Sequence, residues 1–591
     1  MAKVKIPETH LIGIPISQGI AIGKPYFYTF IEDEVHETQI SSDAVEYEIE
    51  RYLKAVEHCK KDIRQLQDRL NAENALEAVA ILETHIQMID DPLITNKVLG
   101  EIRSKKKNAD FVFKQITQEY HKKLDSMSDI FFKERAMDLQ DITRRVVSYL
   151  CEERYVNLVD IPENTIIFAR ELAASGVAEV KTENVRAFVT ESGGATSHAA
   201  IVAKAKGIPY IGNIDFTFLE KIDVELAIVD GRRGDIILNP NSDTLKKYKK
   251  LQEALHKKFE ALEKDCCLKS ETKDGHRVAV SANIEMAKEI PSVHKYGGHG
   301  VGLFRSEYIF LAQYQFPSEE EQFAIYKNLV IQMDGCPIVI RTFDVGGDKL
   351  SVLQHTSHKG NPYLGARAIR FLLQEKEVFK TQLRAILRST VYGDVRILFP
   401  MISGLGELLE AKKILEECKY ELLQQKIPIA ESTPIGCMIE VPSAAVIADL
   451  LAEECDFLSI GTNDLVQYTL AADRSNQSQS VQYTPTHPAV IRLIKSVVDF
   501  AKQADVPVGV CGEVAADPKF TPLLLGLGID ELSVSSRYIP AIKHTVRSFS
   551  KPETQKIAER ALMLKTPEEV ESYLAKIVSD EDSLSPAPSL K

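Results

Sequence analysis

Eight short apolar runs recur along the second half of the chain: Arg277–Ile284, Gly300–Phe304, Pro337–Thr342, Val395–Met401, Pro434–Ile439, Phe457–Ile460, Val508–Cys511 and Leu532–Ser535. Stretches of helical periodicity separate most of them. Short continuous apolar runs that alternate with helices are the pattern of parallel strands buried on both faces. Eight such β/α repeats in succession predict a (β/α)8 TIM barrel, a fold of roughly 250 residues or more. A barrel confines its chemistry to the C-terminal ends of the strands, so the residues that close each run are the ones to inspect.

The first half has a different texture. Gly13–Tyr28 mixes alternation with Gly and Pro, which predicts short strands and turns. From Ser41 an apolar stripe at helical spacing runs through Val45, Ile49, Leu53, Val56, Ile63, Leu66 and Leu70. A second helix is predicted over Ala75–Ile89, stopped by Asp90-Asp91-Pro92, with two more around Phe111–Leu124 and Lys133–Leu150. This is the pattern of a helical bundle. Past Ile161-Pro162, short strands at Thr165–Ala169, Val185–Thr190, Tyr210–Gly212, Leu226–Asp230 and Asp235–Leu238 alternate with helical stretches, which predicts an α/β domain. The early strands are assigned to that domain, so the bundle is an insertion in it. The expected division is 1–30 for the N-terminal strands of the α/β domain, 31–155 for the bundle and 156–240 for the rest of the α/β domain. A linker helix follows over 241–264, then the barrel over 265–575. Residues 576–591 are polar and Pro-rich and are expected to be disordered.

Composition narrows the setting. A chain of 591 residues has room for about three to five domains. The net charge of −13 disfavours nucleic acid and anionic membranes as partners. No apolar run approaches the ~20 residues that span a bilayer, and the N-terminus MAKVKIPETH lacks the apolar stretch of a signal peptide. The nine Cys are scattered, with one adjacent pair, Cys266 and Cys267, and no CxxC spacing. A cytoplasmic protein without membrane insertion, disulfide framework or structural zinc is expected.

Several segments carry reactive residues where a fold of this kind would use them. ESGGATSHAAIVAKAKGIP (Glu191–Pro209) follows a strand and opens a helix. Gly193-Gly194 permits a tight turn and Thr196-Ser197 supply caps, which puts His198 in the first helical turn. Unpaired N–H groups and the helix dipole favour an anion there, so a neutral imidazole could accept a phosphoryl group. An N-capping loop with an incidental His fits the local pattern as well. GVGLFRSEY sets Arg305 beyond the second run, and IRTFDVGGDK sets Arg341 at the end of the third. Two guanidiniums at one mouth suit a substrate with phosphate and carboxylate groups; an ordinary strand-end ion pair would account for either alone, and less readily for both. IEVPSA places Glu440 at the end of the fifth run, and SIGTNDLVQYTLAADR places Asn463, Asp464 and Arg474 after the sixth. Carboxylates on neighbouring strand ends can hold a hard cation such as Mg²⁺; a salt bridge and a helix cap would also account for them. Cys511 closes the seventh run, where a lone Cys is ordinarily a small buried hydrophobe.

Taken together, these motifs resemble those of the phosphoenolpyruvate (PEP)-utilising enzymes, whose phosphohistidine loop reads GG-x-T-S/C-H-A/T. The resemblance implies that His198 carries the phosphoryl group and that Thr196 hydrogen-bonds to it. It implies that Glu440 and Asp464 hold Mg²⁺, and that Arg305, Arg341, Asn463, Asp464 and Arg474 contact PEP. It also implies that Cys511 protonates C3 of the enolate. ILETHIQMIDDPLI, ERAMDLQDITRRV, NPYLGARAIR, THPAVIRLI and LSVSSRYIPAIK extend the similarity to the enzyme I branch of the bacterial sugar phosphotransferase system. That branch implies a swivelling phosphohistidine domain, transfer from His198 to the carrier HPr with release of pyruvate, docking of HPr on the bundle, and a homodimer formed through the barrel. One departure stands out. The branch usually has Arg after the Gly pair, and this chain has Ala195, which removes a possible phosphate contact and leaves His198 in place.

Neighbouring readings fare worse. The dikinases and synthases of the same family need an ATP-grasp domain, and the stretch ahead of the α/β domain is mostly bundle. A nitrogen-system paralogue would need an additional sensory domain. A non-catalytic scaffold would not be expected to retain each of these functional residues.

Overall fold

The computed structural model describes residues 4–5, 7–28, 35–72, 76–125, 130–151, 161–191, 197–215, 222–307, 309, 316–345, 365–472 and 484–577, with only the backbone for a few of them, His198 included. The chain divides into two compact units, Met1–His256 and Lys257–Lys591.

The first unit is built on an eight-stranded sheet in the order Thr9–Ile12, Asp235–Leu238, Ala227–Asp230, Ile20–Tyr28, Thr165–Ala169, Val185–Thr190, Tyr210–Gly212, Ile14–Ser17. The strand Ile20–Tyr28 pairs parallel with Thr165–Ala169 and antiparallel with Ala227–Asp230. The early strands therefore complete a sheet whose other members come after the helices, and the bundle is an insertion. Five helices form it: Val45–Ala72, Leu76–Ile89, Pro92–Lys105, Ala109–Asp125 and Ile130–Leu150. The third corrects the sequence reading, which took Asp90-Asp91-Pro92 only as a stop. Proline is at home in the first turn of a helix, where its missing N–H would have had no partner, so the same residue ends one helix and begins the next. Bundle and α/β helices share one apolar core, which includes Ile86, Val146, Val177, Ala200 and Ala203. Within that interface His85 lies between Asp138 at 3.1 Å and Asp141 at 3.8 Å, and Ser175 donates to Asp141 at 2.5 Å. The predicted linker helix is present over Ser242–Lys264.

The second unit is a closed barrel of eight parallel strands: Ala279–Ile284, Val301–Arg305, Ile338–Arg341, Val395–Phe399, Ile435–Ile439, Phe457–Ile460, Val508–Val510 and Glu531–Ser535. The first and eighth strands pair in register from Ala279↔Glu531 to Asn283↔Ser535 and close it. Side chains alternate across a strand, so one set packs outward on the helices and the other fills the interior. Leu303, Val339, Leu398, Met438, Phe457 and Cys511 form an apolar cluster of their own, separate from the larger core that joins strands to helices. Arg305, Arg341, Glu440 and Ser459 each follow a member of this cluster by two positions and so share its face.

Helices Thr521–Leu527 and Lys551–Met563 pack closely where Gly526 faces the second helix. A Cβ at 526 would lie 1.9 Å from the Thr554 carbonyl oxygen and 2.8 Å from the Ala558 Cβ. Gly526→Ala should destabilise the barrel by about 1–3 kcal/mol despite the higher helix propensity of alanine, because the contact is with backbone and cannot give way locally. A urea midpoint at or above that of the unsubstituted chain would contradict this packing.

Candidate active site

The C-terminal mouth of the barrel gathers most of the residues singled out from the sequence. Arg305 and Arg341 end neighbouring strands and are register partners. Arg305 Nη1 donates to Glu285 Oε1 at 2.8 Å. Arg341 is buried and donates to Glu307, with Asp344 Oδ2 3.3 Å from its Nη1. Burial opposes the Arg341 charge, but Glu307 and Asp344, and after them Glu440, outweigh it and hold the guanidinium firmly protonated. Arg367 makes a fork of bonds to Asp344, at 2.8 and 2.9 Å, and a looser one to Asp464, at 3.2 and 3.3 Å. Its Nη1 also reaches the Tyr468 hydroxyl at 3.2 Å.

Glu440 follows the fifth strand and is buried; its Oε1 accepts the Met401 N–H at 2.6 Å. Met401 stands in the left-handed region at φ 56°, a backbone state that non-glycine residues hold only where surrounding contacts enforce it. Burial first, then repulsion from Asp464 and Asp344, pushes the Glu440 carboxyl well above the ordinary range. A side chain at Gly461 would collide with this carboxylate, its Cβ lying 2.8 Å from Oε2. Asp464 and Asn463 lie in the first turn of the helix Thr462–Leu470. Asn463 Oδ1 accepts the Glu513 N–H at 3.0 Å. Among the described residues no group of three or more His, Cys, Asp or Glu is arranged as a metal cluster.

Cys511 follows the seventh strand and is buried, with Ser459 Oγ donating to its Sγ at 3.3 Å. Burial pushes the thiol up to about 11, against the pull of the Ser459 hydrogen bond. Asn283, from the first strand, donates to the Cys511 carbonyl at 3.0 Å and fixes its backbone.

In the first unit, the helix His198–Ala205 begins at His198, and its cap is Ser197, whose Oγ accepts the Ala200 N–H at 3.2 Å. Thr196, Ala195 and Arg474 lie outside the described residues, as does the His198 side chain.

Sequence reasoning missed Glu285, Glu307, Asp344, Arg367 and Ser459. Arg367 lies in NPYLGARAIR, Glu307 in GVGLFRSEY, Asp344 in IRTFDVGGDK and Ser459 in SIGTNDLVQYTLAADR, so each had a signal, and Glu285 directly follows the first apolar run.

Comparison with known proteins identifies the family. Three family models match in succession: "PEP-utilising enzyme, N-terminal" over residues 12–135, "PEP-utilising enzyme, mobile domain" over 161–234 and "PEP-utilising enzyme, PEP-binding domain" over 260–551. A phosphoenolpyruvate-protein phosphotransferase from Bacillus sp. (strain S) is 37% identical over 577 residues, 97% of this chain and 99% of that one. The chain belongs to the PEP-utilising enzyme family, in its phosphoenolpyruvate-protein phosphotransferase branch. The Bacillus subtilis (strain 168) phosphotransferase is 38% identical over 95% of this chain and 99% of its own length. A solution structure of an enzyme I protein is 32% identical, at a TM-score of 0.36, over 42% of this chain and 99% of that one. No helix among the described residues is long and apolar enough to cross a membrane.

The site geometry makes a chemical prediction. A thiol held near 11 carries almost no thiolate at pH 8, and Cys511 is buried, whereas Cys267 is exposed. Iodoacetamide applied to the folded chain at pH 8 should alkylate Cys267 first and leave Cys511 unmodified, as read by peptide mass mapping. Labelling of Cys511 at a comparable rate would show that the thiol is open and activated.

Proposed function

We propose that this chain takes the phosphoryl group of PEP onto His198 and passes it to a histidine of a small carrier of the HPr type, releasing pyruvate. The observation that carries this reading is the convergence of Arg305, Arg341, Glu440 and Cys511 on one face of one barrel mouth, in a chain of this family.

Each group has a task that its surroundings support. The guanidiniums bind the anionic groups of PEP by charge-assisted, forked hydrogen bonds, Arg305 from the more open position. Asn463, Asp464 and Arg474 are assigned to further substrate contacts from the family motif. Glu440 and Asp464 fit a hard cation: both offer oxygen donors, and their mutual repulsion is the kind that a divalent ion relieves. When bound there, Mg²⁺ would screen the negative charge of the phosphate and carboxylate. In the transfer, the bond from phosphorus to the enol oxygen breaks and a bond from phosphorus to an imidazole nitrogen of His198 forms. The free N–H groups of the first helical turn, and Thr196, support the charge on the transferred group. The enolate left behind takes a proton at C3 from the Cys511 thiol, which remains protonated at neutral pH and is reprotonated by water afterwards. HPr docks on the bundle, and the barrel mediates a homodimer in the cytoplasm; both rest on the family resemblance.

Two substitutions test the scheme with labelled PEP and Mg²⁺. His198→Ala should abolish the protein-bound label, which in the unsubstituted chain should be acid-labile and base-stable as a phosphoramidate is. A stable label on Ser197 or Thr196 would overturn the assignment.

Cys511→Ala should slow pyruvate formation by about 10²–10⁴-fold, while exchange between phospho-His198 and HPr continues, because no carbon is protonated there. Near-normal PEP turnover with a lowered melting temperature would reduce Cys511 to a packing role.

A further inference from the structure

The three guanidiniums at the mouth are not in the same situation. Arg341 and Arg367 have side-chain exposures of 9% and 12%, and their partners Glu307, Asp344 and Asp464 are buried with them. Those pairs neutralise charge inside the protein. The Arg305 side chain is 35% exposed, and it faces Glu285, whose side chain is 12% exposed. Glu285 is the first residue past the first barrel strand. Its backbone is tied down: Glu289 Oε1 accepts the N–H groups of Glu285, at 2.7 Å, and Met286, at 2.9 Å. The strand end and this closed turn deliver the Glu285 carboxylate to Arg305, so the pair is a feature of the fold rather than the meeting of two flexible side chains.

We propose that Glu285 sets the affinity of the mouth for its anionic substrate by competing with the substrate's own anionic group for Arg305. The inference rests on the reading of the mouth as the PEP site. An incoming oxyanion meets a guanidinium whose Nη1 is already engaged by a carboxylate of the same sign as itself. It must share that donor or displace Glu285, and either way like charges are brought together. PEP has a phosphate and a carboxylate, so it can hold Arg305 and Arg341 at once and displace an internal carboxylate. Pyruvate has one carboxylate and is the weaker competitor. Glu285 therefore discriminates substrate from product, and its return to Arg305 favours product release.

The full-length chain tests this with Glu285→Gln, which keeps size and hydrogen-bonding capacity and removes the charge, and with Glu285→Ala. With PEP, Mg²⁺ and HPr, both variants should show a KM for PEP roughly three- to tenfold lower, with kcat within about twofold. Inhibition by added pyruvate should strengthen by a larger factor than the fall in KM for PEP, with the melting temperature unchanged. A merely structural role would lower the melting temperature and leave KM alone. An unchanged KM in both variants overturns the proposal, and a raised KM overturns it in favour of Glu285 as a residue that orients Arg305 for substrate. The two readings separate cleanly: if the unsubstituted chain is labelled from PEP and KM does not fall in the variants, only the role of Glu285 fails. If the unsubstituted chain is not labelled at all, both fail.

Discussion

Arg367 grips two carboxylates at once, and the barrel mouth depends on that grip. Asp344 comes from the segment after the third strand and Asp464 from the first turn of the helix after the sixth, and each is nearly enclosed. Two buried carboxylates so close to Glu440 would repel one another and draw in protons or water. A single planar guanidinium with five donors can face both sides, which a lysine ammonium cannot do in the same geometry. The next residue shows what holds the arginine there. Ala368 is in the left-handed region at φ 52°, and its N–H donates to the Val345 carbonyl at 2.9 Å. A non-glycine residue keeps such a conformation only when its surroundings enforce it, and here they tie the Arg367 segment back to the loop that carries Asp344.

Strand alternation does the rest of the positioning. Because Leu303, Val339, Met438 and Phe457 belong to one cluster, the residues two steps further along each strand share its face. That rule brings Arg305, Arg341, Glu440 and Ser459 onto a common floor without any loop having to fold to a special shape. Met401 is the exception, since its left-handed backbone aims an N–H at Glu440. The mouth is therefore rigid where side chains must be placed to within a fraction of an ångström, and locally strained where a backbone donor is needed. It also explains why the Cys511 thiol is a poor nucleophile: Cys511 belongs to the apolar cluster, and that environment disfavours its thiolate.

Much of this was legible in the sequence because parallel barrel strands are buried on both faces and read as unbroken apolar runs. Phe457–Ile460 is the same segment in both, and Val395 begins the fourth strand in both. The bundle was legible for the complementary reason, a one-sided stripe such as Ile49, Val56 and Ile63 on a long helix. The helix Pro92–Lys105 was lost because proline has two meanings at helix ends, and the local pattern emphasised the stop. Arg305, Arg341, Glu440 and Cys511 could be found because each ends an apolar run. Glu285 closes the first run in the same way and Asp344 lies in IRTFDVGGDK, but only the closed barrel shows that these two turn toward an arginine. Arg367 lies between these cases: its motif is distinctive, but its bridging of two aspartates is a product of tertiary structure.

The helix that opens at His198 is governed by a different constraint from the charged mouth. It runs only from His198 to Ala205, far too short to be stable on intrinsic propensity. It holds its place by burying Ala199, Ala200, Val202 and Ala203, whose small size lets the helix lie close to its neighbours. With that face committed to the core, the first turn is where the helix can meet a ligand, and Ser197 has already taken the Ala200 N–H. The remaining N–H groups at that end have no carbonyl within the helix to bind, so they present partial positive charge without a full cation. For the transfer proposed above, in which an anion is accepted and later given up, partial charge is a suitable match.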